Sequence, residues 1–155
     1  MKHNHINIYN NLIELSRNKE LYKNFTKQDT FSDRLLFFLF HFAFFLNINK
    51  DKKNKVFLQD LHDYIFRQLE LSIREIGYGD QTINKKMKEY INLFYGIIDK
   101  IHYWDSLSIK SRKSLLLTFL DNTQDITFLT NYFEKYRLNL INNTLNLALK
   151  GVVKL

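Results

Sequence analysis

No proline interrupts this chain of 155 residues, and only four glycines do. Those two residue types end helices and build tight hairpins, so a long chain with so few of them is steered towards helix. A domain of about 150 residues buries ~70% of its unfolded surface, which is enough for one substantial core. The 45% hydrophobic content is too high for a disordered chain. Cysteine is absent, which excludes disulfide scaffolds, thiolate nucleophiles, zinc knuckles and iron–sulfur ligation. The expected fold is all-α, a single compact helical domain of about six or seven helices.

The net charge is +7, from 23 basic and 16 acidic residues. Such an excess suits a ribosome, RNA or an anionic membrane surface; nothing in it points to specific DNA. A second source is composition itself. Asn, Lys and Ile are abundant while alanine occurs only as Ala43 and Ala148. An AT-rich coding sequence yields that skew and raises the isoelectric point with no partner involved. The opening residues MKHNHINIYN show neither an apolar signal core nor an Arg-rich presequence.

The segment Leu35 to Leu46, LLFFLFHFAFFL, is the most apolar stretch. It is shorter than the ~20 residues of a bilayer helix and carries His41 at its centre, so a buried core helix is expected. Its phenylalanine density also hints at an apolar partner. Within it, His41 is either a core histidine bonded to a buried carboxylate or carbonyl, or a polar contact in a groove that receives a partner helix.

The periodicity suggests a flexible tail over residues 1–8 and one domain over 9–155, with a core at 9–101 and a looser helical tail at 102–155. A first helix is expected from Ile8 to Phe25, on Leu12, Leu15 and Leu21. Asp29 or Thr30 caps the Phe-rich helix, with Asp33 three residues on as in a capping box. Residues 47–55 read as a basic loop. A third helix runs from about Lys55 to Ile76 on the stripe Phe57, Leu61, Ile65, Leu69 and Ile73. Asp63–Arg67 and Glu70–Arg74 are acid-first pairs four apart on its outer face, and Gly77 stops it. A fourth helix starts at Thr82 on Ile83, Met87, Ile91, Phe94, Ile98 and Ile101. Three shorter helices follow, at 108–120, 125–136 and 139–149.

No set of residues forms a familiar catalytic site. There is no Glu-x-x-His pair of the di-iron kind, no nucleophile elbow and no phosphate-cradling loop. His3 and His5 promise at most adventitious metal binding. Glu70, Glu75 and Asp80 are accounted for by ion pairing with Arg67 and Arg74, and by the preference of acids for helix starts. Neither a catalytic residue nor a cofactor is expected.

The order of the remaining signals resembles the ubiquinol–cytochrome c chaperone family. Asp29-Thr30, Arg34 and His41 stand at the spacing of that family's first block, preceded by Ser16-Arg17 and Leu21-Tyr22. The second block is fuller. Gln59, Asp63 and Phe66 lead into Ile73-Arg74-Glu75-Ile76-Gly77-Tyr78-Gly79-Asp80, then Lys85-Lys86-Met87-Lys88 and Phe94-Tyr95-Gly96. Three positions depart from the family pattern: Asp33 replaces a glycine, Leu35 a phenylalanine and Ile97 an arginine.

The resemblance implies an assembly factor rather than an enzyme, one that binds newly made cytochrome b and promotes assembly of the respiratory bc1 complex. It further implies a bacterial protein of the cytoplasm or the cytoplasmic face of the inner membrane, or the matrix side if mitochondrial, with a small partner assembly factor conceivable beside it. The client surface is expected on the Phe37–Phe45 face, with Phe37 and Phe44, and around Tyr78 and Tyr95. Arg34, His41, Arg74, Glu75 and Asp80 either orient that surface or staple the helices beneath it, and Asp29, Thr30, Gly77 and Gly79 are candidate client-binding or motif residues beside them. Lys85, Lys86 and Lys88 would meet lipid headgroups or RNA, or form a solvated face. Two other readings stay open: a basic helical ribosome- or RNA-binding module, and a helical protein binding an apolar isoprenoid or quinone-like ligand.

Overall fold

The structure is a computed structural model and describes residues 2–23, 25, 30–121 and 125–143. Six α-helices follow one another: α1 Lys2–Ser16, α2 Phe31–Asn49, α3 Lys55–Ile76, α4 Asp80–Ile101, α5 Ile109–Phe119 and α6 Ile126–Asn142. Short 3-10 turns at Lys19–Tyr22, Lys52–Asn54 and Trp104–Ser106 link them. No strand occurs among the described residues, so the all-α expectation holds.

The Phe-rich helix α2 is the axis. Thr30 caps it in extended conformation, its Oγ accepting from the Asp33 backbone N–H at 3.3 Å. Asp29, the other candidate cap, lies outside the described residues. The 19-residue helix is long and apolar enough to cross a membrane by composition alone. Here α1, α4 and α6 pack around it instead, and Phe37, Phe40, Phe42 and Phe44 are completely buried. Phe42 stacks on Phe94 of α4 at 5.0 Å, and Phe44 on Phe133 of α6 at 5.6 Å. Burying one such ring is worth roughly 1.5–3 kcal/mol, so this helix organises the domain.

Several boundaries differ from the periodicity. The first helix begins at Lys2, within the segment read as a tail, and ends at Ser16 rather than Phe25. His5, Ile8 and Leu12 face inward and extend the apolar stripe upstream. At the other end, the Asn18 side chain accepts from Glu20 N–H and starts a 3-10 turn that redirects the chain. The basic loop is shorter than expected, because α2 runs to Asn49 and only Lys50 and Asp51 precede the next 3-10 turn. Residues 126–142 are one helix rather than two. The expected helix at 139–149 reaches into residues outside those described.

Two joints carry charge. On α3, Glu70 pairs with Arg74 at 3.4 Å as expected. Asp63 instead takes Gln59 Nε2 at 3.1 Å and His62 Nδ1 at 3.3 Å, and no Asp63–Arg67 pair forms. In the C-terminal third, Glu134 of α6 accepts from Trp104 Nε1 at 2.6 Å, from Arg112 Nη1 at 3.1 Å and from Arg137 Nη1 at 2.8 Å. Arg137 also pairs with Asp105. This four-residue cluster around Trp104 docks α5 and α6 on the rest, and sequence periodicity gave no sign of it.

Candidate functional site

The expected site residues separate into three groups. His41, Phe37 and Phe44 belong to the core, all three completely buried. His41 Nδ1 donates to the Phe37 carbonyl at 2.6 Å, since a carbonyl can only accept, and Nε2 accepts from the Tyr132 hydroxyl at 2.7 Å. Burial holds the imidazole down at about 4, well below its ordinary 6.5. It is the core histidine of the first reading, with a carbonyl and a hydroxyl for partners. The Phe37–Phe45 face is therefore no client surface, because its rings already fill the interior. Tyr95 stands apart: it is exposed and stacks on His62 at 6.0 Å, far along α4 from the α3–α4 turn.

The third group does converge. Gly77 ends α3 in the left-handed region at φ 105°, its N–H donating to the Arg74 carbonyl at 3.0 Å. A residue with a side chain there would be strained, which explains the glycine. Asp80, in the first turn of α4, accepts from Arg74 Nη1 at 2.6 Å, while Glu70 holds the other end of the guanidinium. Asp80 is the larger of the two influences that raise the Arg74 pKa further above its ordinary range. Arg74 thus staples the α3–α4 turn, the second of the two roles open for it.

The stapled turn presents apolar groups to solvent. Ile76 is 56% and Tyr78 43% exposed, and the Lys86 ammonium sits 4.9 Å over the Tyr78 ring. Beside them a surface groove of about 380 Å³ is lined by Thr30, Phe31, Ser32, Ile73, Ile76, Tyr78, Lys86 and Tyr90. Glu75, Lys85 and Lys88 are exposed near it in sequence. The start of α2 and the α3–α4 turn, distant in the chain, build this groove together. Phe31 and Tyr90 were missed from the sequence, because neither carries a charge or a turn signal and only the packing of α2 beside α4 gives them a role.

A second cavity, of about 260 Å³, lies on the other side of Phe31 between α1, α2 and α3. Arg34 and Arg17 line it, with Leu35, Phe38, Leu39, Ile65, Phe66 and Leu69 among its walls. No Asp or Glu stands among the described residues that line it. Among the described residues no three His, Asp or Glu side chains gather as a metal site would require. His5 is buried against Phe57 and Tyr64 rather than displayed as a chelate.

A groove of mixed polar and apolar lining beside a charged staple offers a surface to a partner. The chain belongs to the ubiquinol–cytochrome C chaperone family, whose pattern it matches over residues 23–106, more than half its length. It is accordingly a chaperone of bc1 complex assembly. The crystal structure of the Cbp3 homolog from Brucella abortus shares the fold with a TM-score of 0.77. That similarity covers 97% of this chain and 87% of the other, at 21% identity. No match to a curated protein reaches significance. Of the departures from the family pattern, Leu35 and Ile97 are core residues and wholly or nearly buried, so at Ile97 packing stands where a charge would be.

Proposed function

We propose that the chain is a non-enzymatic chaperone that holds newly made cytochrome b by the groove at the α3–α4 turn. The observation that carries this is the exposed pair Ile76 and Tyr78 beside Phe31, Ile73 and Tyr90, fixed by the Arg74–Asp80 contact. These residues fall in the segment that carries the family pattern. A membrane subunit awaiting assembly exposes apolar helices, and an apolar groove with a polar rim receives such a helix by its anchoring side chains. Lys86 and the exposed Lys85 and Lys88 lie on the same stretch of α4 and would face the anionic surface at which the client is inserted. This reading places the protein at the cytoplasmic face of the inner membrane, or the matrix face if mitochondrial.

The test is affinity capture with a tagged chain. The wild type is expected to enrich cytochrome b, and the variants Ile76→Asp and Tyr78→Asp to lose that enrichment while keeping the wild-type helical spectrum and melting curve. If the wild type enriches no cytochrome b, and deleting the protein leaves bc1 levels unchanged, the proposal fails. If nonspecific RNA is captured instead, with binding that collapses between low and moderate salt, the ribosome- or RNA-binding reading replaces it.

A further inference from the structure

The joint between α2 and α3 carries a density of positive charge that the client groove does not use. Lys50, Lys52, Lys53 and Lys55 follow closely across the end of α2 and the 3-10 turn into α3, all of them exposed. Asp51 pairs with Lys53 at 4.0 Å, while Lys52 and Lys55 have no carboxylate partner among the described residues. Lys50 Nζ donates to His102 Nδ1 at 3.0 Å, which draws this ammonium towards the end of α4. A surface groove of about 440 Å³ opens here, within the range of small-molecule sites, about 300–1,000 Å³. Lys50, Lys52 and Lys55 line it together with Leu46, Leu58 and Tyr95.

Tyr95 is the unusual wall. It is 52% exposed, yet its ring lies parallel to the His62 imidazole, with 10° between the planes and 6.0 Å between centroids. His62 packs on Phe66 at 4.8 Å and its Nδ1 donates to Asp63 at 3.3 Å, so the ring that backs the phenol is itself fixed. The exposed part of Tyr95 is therefore a flat platform on which a planar base can stack. The charge beside it suits a phosphate. Three ammoniums against the single carboxylate of Asp51 leave the lining two positive charges in excess, and a phosphomonoester carries about −1.5 to −2 near pH 7. A lysine ammonium, a compact point charge with several donors, is a common phosphate ligand. A free phosphate would leave the aromatic wall unused, and a fatty acid would leave its plane unused. A ligand that joins an anionic group to a planar aromatic one engages both features.

We propose that this groove binds a nucleoside 5′-phosphate, its base stacked on Tyr95 and its phosphate held by Lys50, Lys52 and Lys55. The proposal stands apart from client binding. The His62–Tyr95 stack lies about four helical turns from the α3–α4 turn that forms the client groove, and the purified chain suffices for the test without cytochrome b.

Calorimetric titration of the purified chain with adenosine 5′-monophosphate (AMP), adenosine, ribose 5-phosphate and inorganic phosphate provides the test. AMP is expected to bind saturably at one site, at least tenfold more tightly than any of the other three. Tyr95→Leu is expected to bring AMP down to the affinity of ribose 5-phosphate. Replacing two lysines (Lys52→Gln with Lys55→Gln) is expected to remove most of its advantage over adenosine. Amide NMR shifts on titration should gather at Lys52, Leu58 and Tyr95 and not at Lys85 or Lys110. The proposal is overturned if AMP shows no saturable binding, if ribose 5-phosphate matches it, or if the shifts fall outside the groove. A folded Tyr95→Leu variant that keeps the full preference for AMP overturns it too. So does an eight-nucleotide oligoadenylate that binds more than tenfold more tightly than AMP at equal nucleotide concentration, because the occupant is then a strand. The ligand comparisons use the wild type, so a variant that fails to fold leaves the test intact.

Discussion

The Tyr132 hydroxyl donates to His41 Nε2 at 2.7 Å, joining α6 to the centre of α2 across 91 residues of sequence. The imidazole is wholly buried and held at about 4 by desolvation, with the Phe37 carbonyl opposing that shift. In the unfolded chain it titrates near its ordinary 6.5. Between those values the unfolded state binds the proton and the folded state does not, so stability falls as pH drops. The stabilisation is fully present above about pH 6.5 and is lost as pH falls to about 4, on the order of 3 kcal/mol in all. Denaturant titrations at several pH values should show this loss. His41→Gln, which keeps hydrogen-bonding atoms but does not titrate, should flatten the curve across that window, while buried His5, shifted in the same direction, leaves a residual slope. An unchanged slope in the variant refutes the assignment.

Tyr136 packs 4.8 Å from the same imidazole, but its buried hydroxyl has no partner among the described residues. Tyr136 and Tyr132 should therefore respond oppositely to loss of the oxygen. Tyr132→Phe leaves a buried histidine acceptor unpaired and should cost about 1–3 kcal/mol. Tyr136→Phe removes an unsatisfied polar atom and should leave stability equal or higher. Melting curves of the two variants settle the matter, and a larger loss for Tyr136→Phe would show that the hydroxyl has a partner.

The contrast between these tyrosines shows where sequence reasoning stops. The stop at Gly77, the Thr30 cap and the α3 stripe were legible because each is a local rule acting within about four residues. His41 was legible as a polar group in an apolar run, but its partner Tyr132 was not, since no local signal ties residues so distant. The phenylalanines of α2 were ambiguous for a related reason. A twelve-residue apolar run looks the same whether other helices of the chain or a foreign helix covers it, and only the packing of α1, α4 and α6 decides. Conversely, Phe31 looked unremarkable, and it acquires a role from the two cavities that it borders at the start of α2.

The α3–α4 turn offers a separation of backbone from charge. Gly77 holds φ 105° with open space around the position a Cβ would take, so Gly77→Ala is penalised by conformation alone. The expected loss is about 1–2 kcal/mol, and Gly77→Asn, which tolerates that region better, should lose less. Arg74→Ala removes an exposed staple and should lower the melting temperature only slightly, with the difference shrinking in high salt. Under the proposed function the same variant should lose client capture. A large unfolding effect of Arg74→Ala would instead make the staple essential to the fold.

Glu134 tests the C-terminal third, where sequence periodicity was weakest. Its carboxylate receives Trp104 Nε1, Arg112 and Arg137 at once, and both arginines are mostly shielded from solvent. Trp104 is 1% exposed, so without the carboxylate its indole N–H has no ready substitute in water. Glu134→Gln keeps the shape and one acceptor oxygen but leaves two guanidiniums facing a neutral amide. The expected cost is on the order of 2–3 kcal/mol, the range for hydrogen bonds to charged groups, with Glu134→Ala costing more. Tryptophan fluorescence reports directly, because Trp104 is the sole tryptophan. If its emission in Glu134→Ala shifts red before the helical signal melts, α5 and α6 detach first and the cluster is their anchor. Coincident transitions at an unchanged midpoint would mean that packing around Phe133 and Leu116 already holds this third in place without the ion cluster.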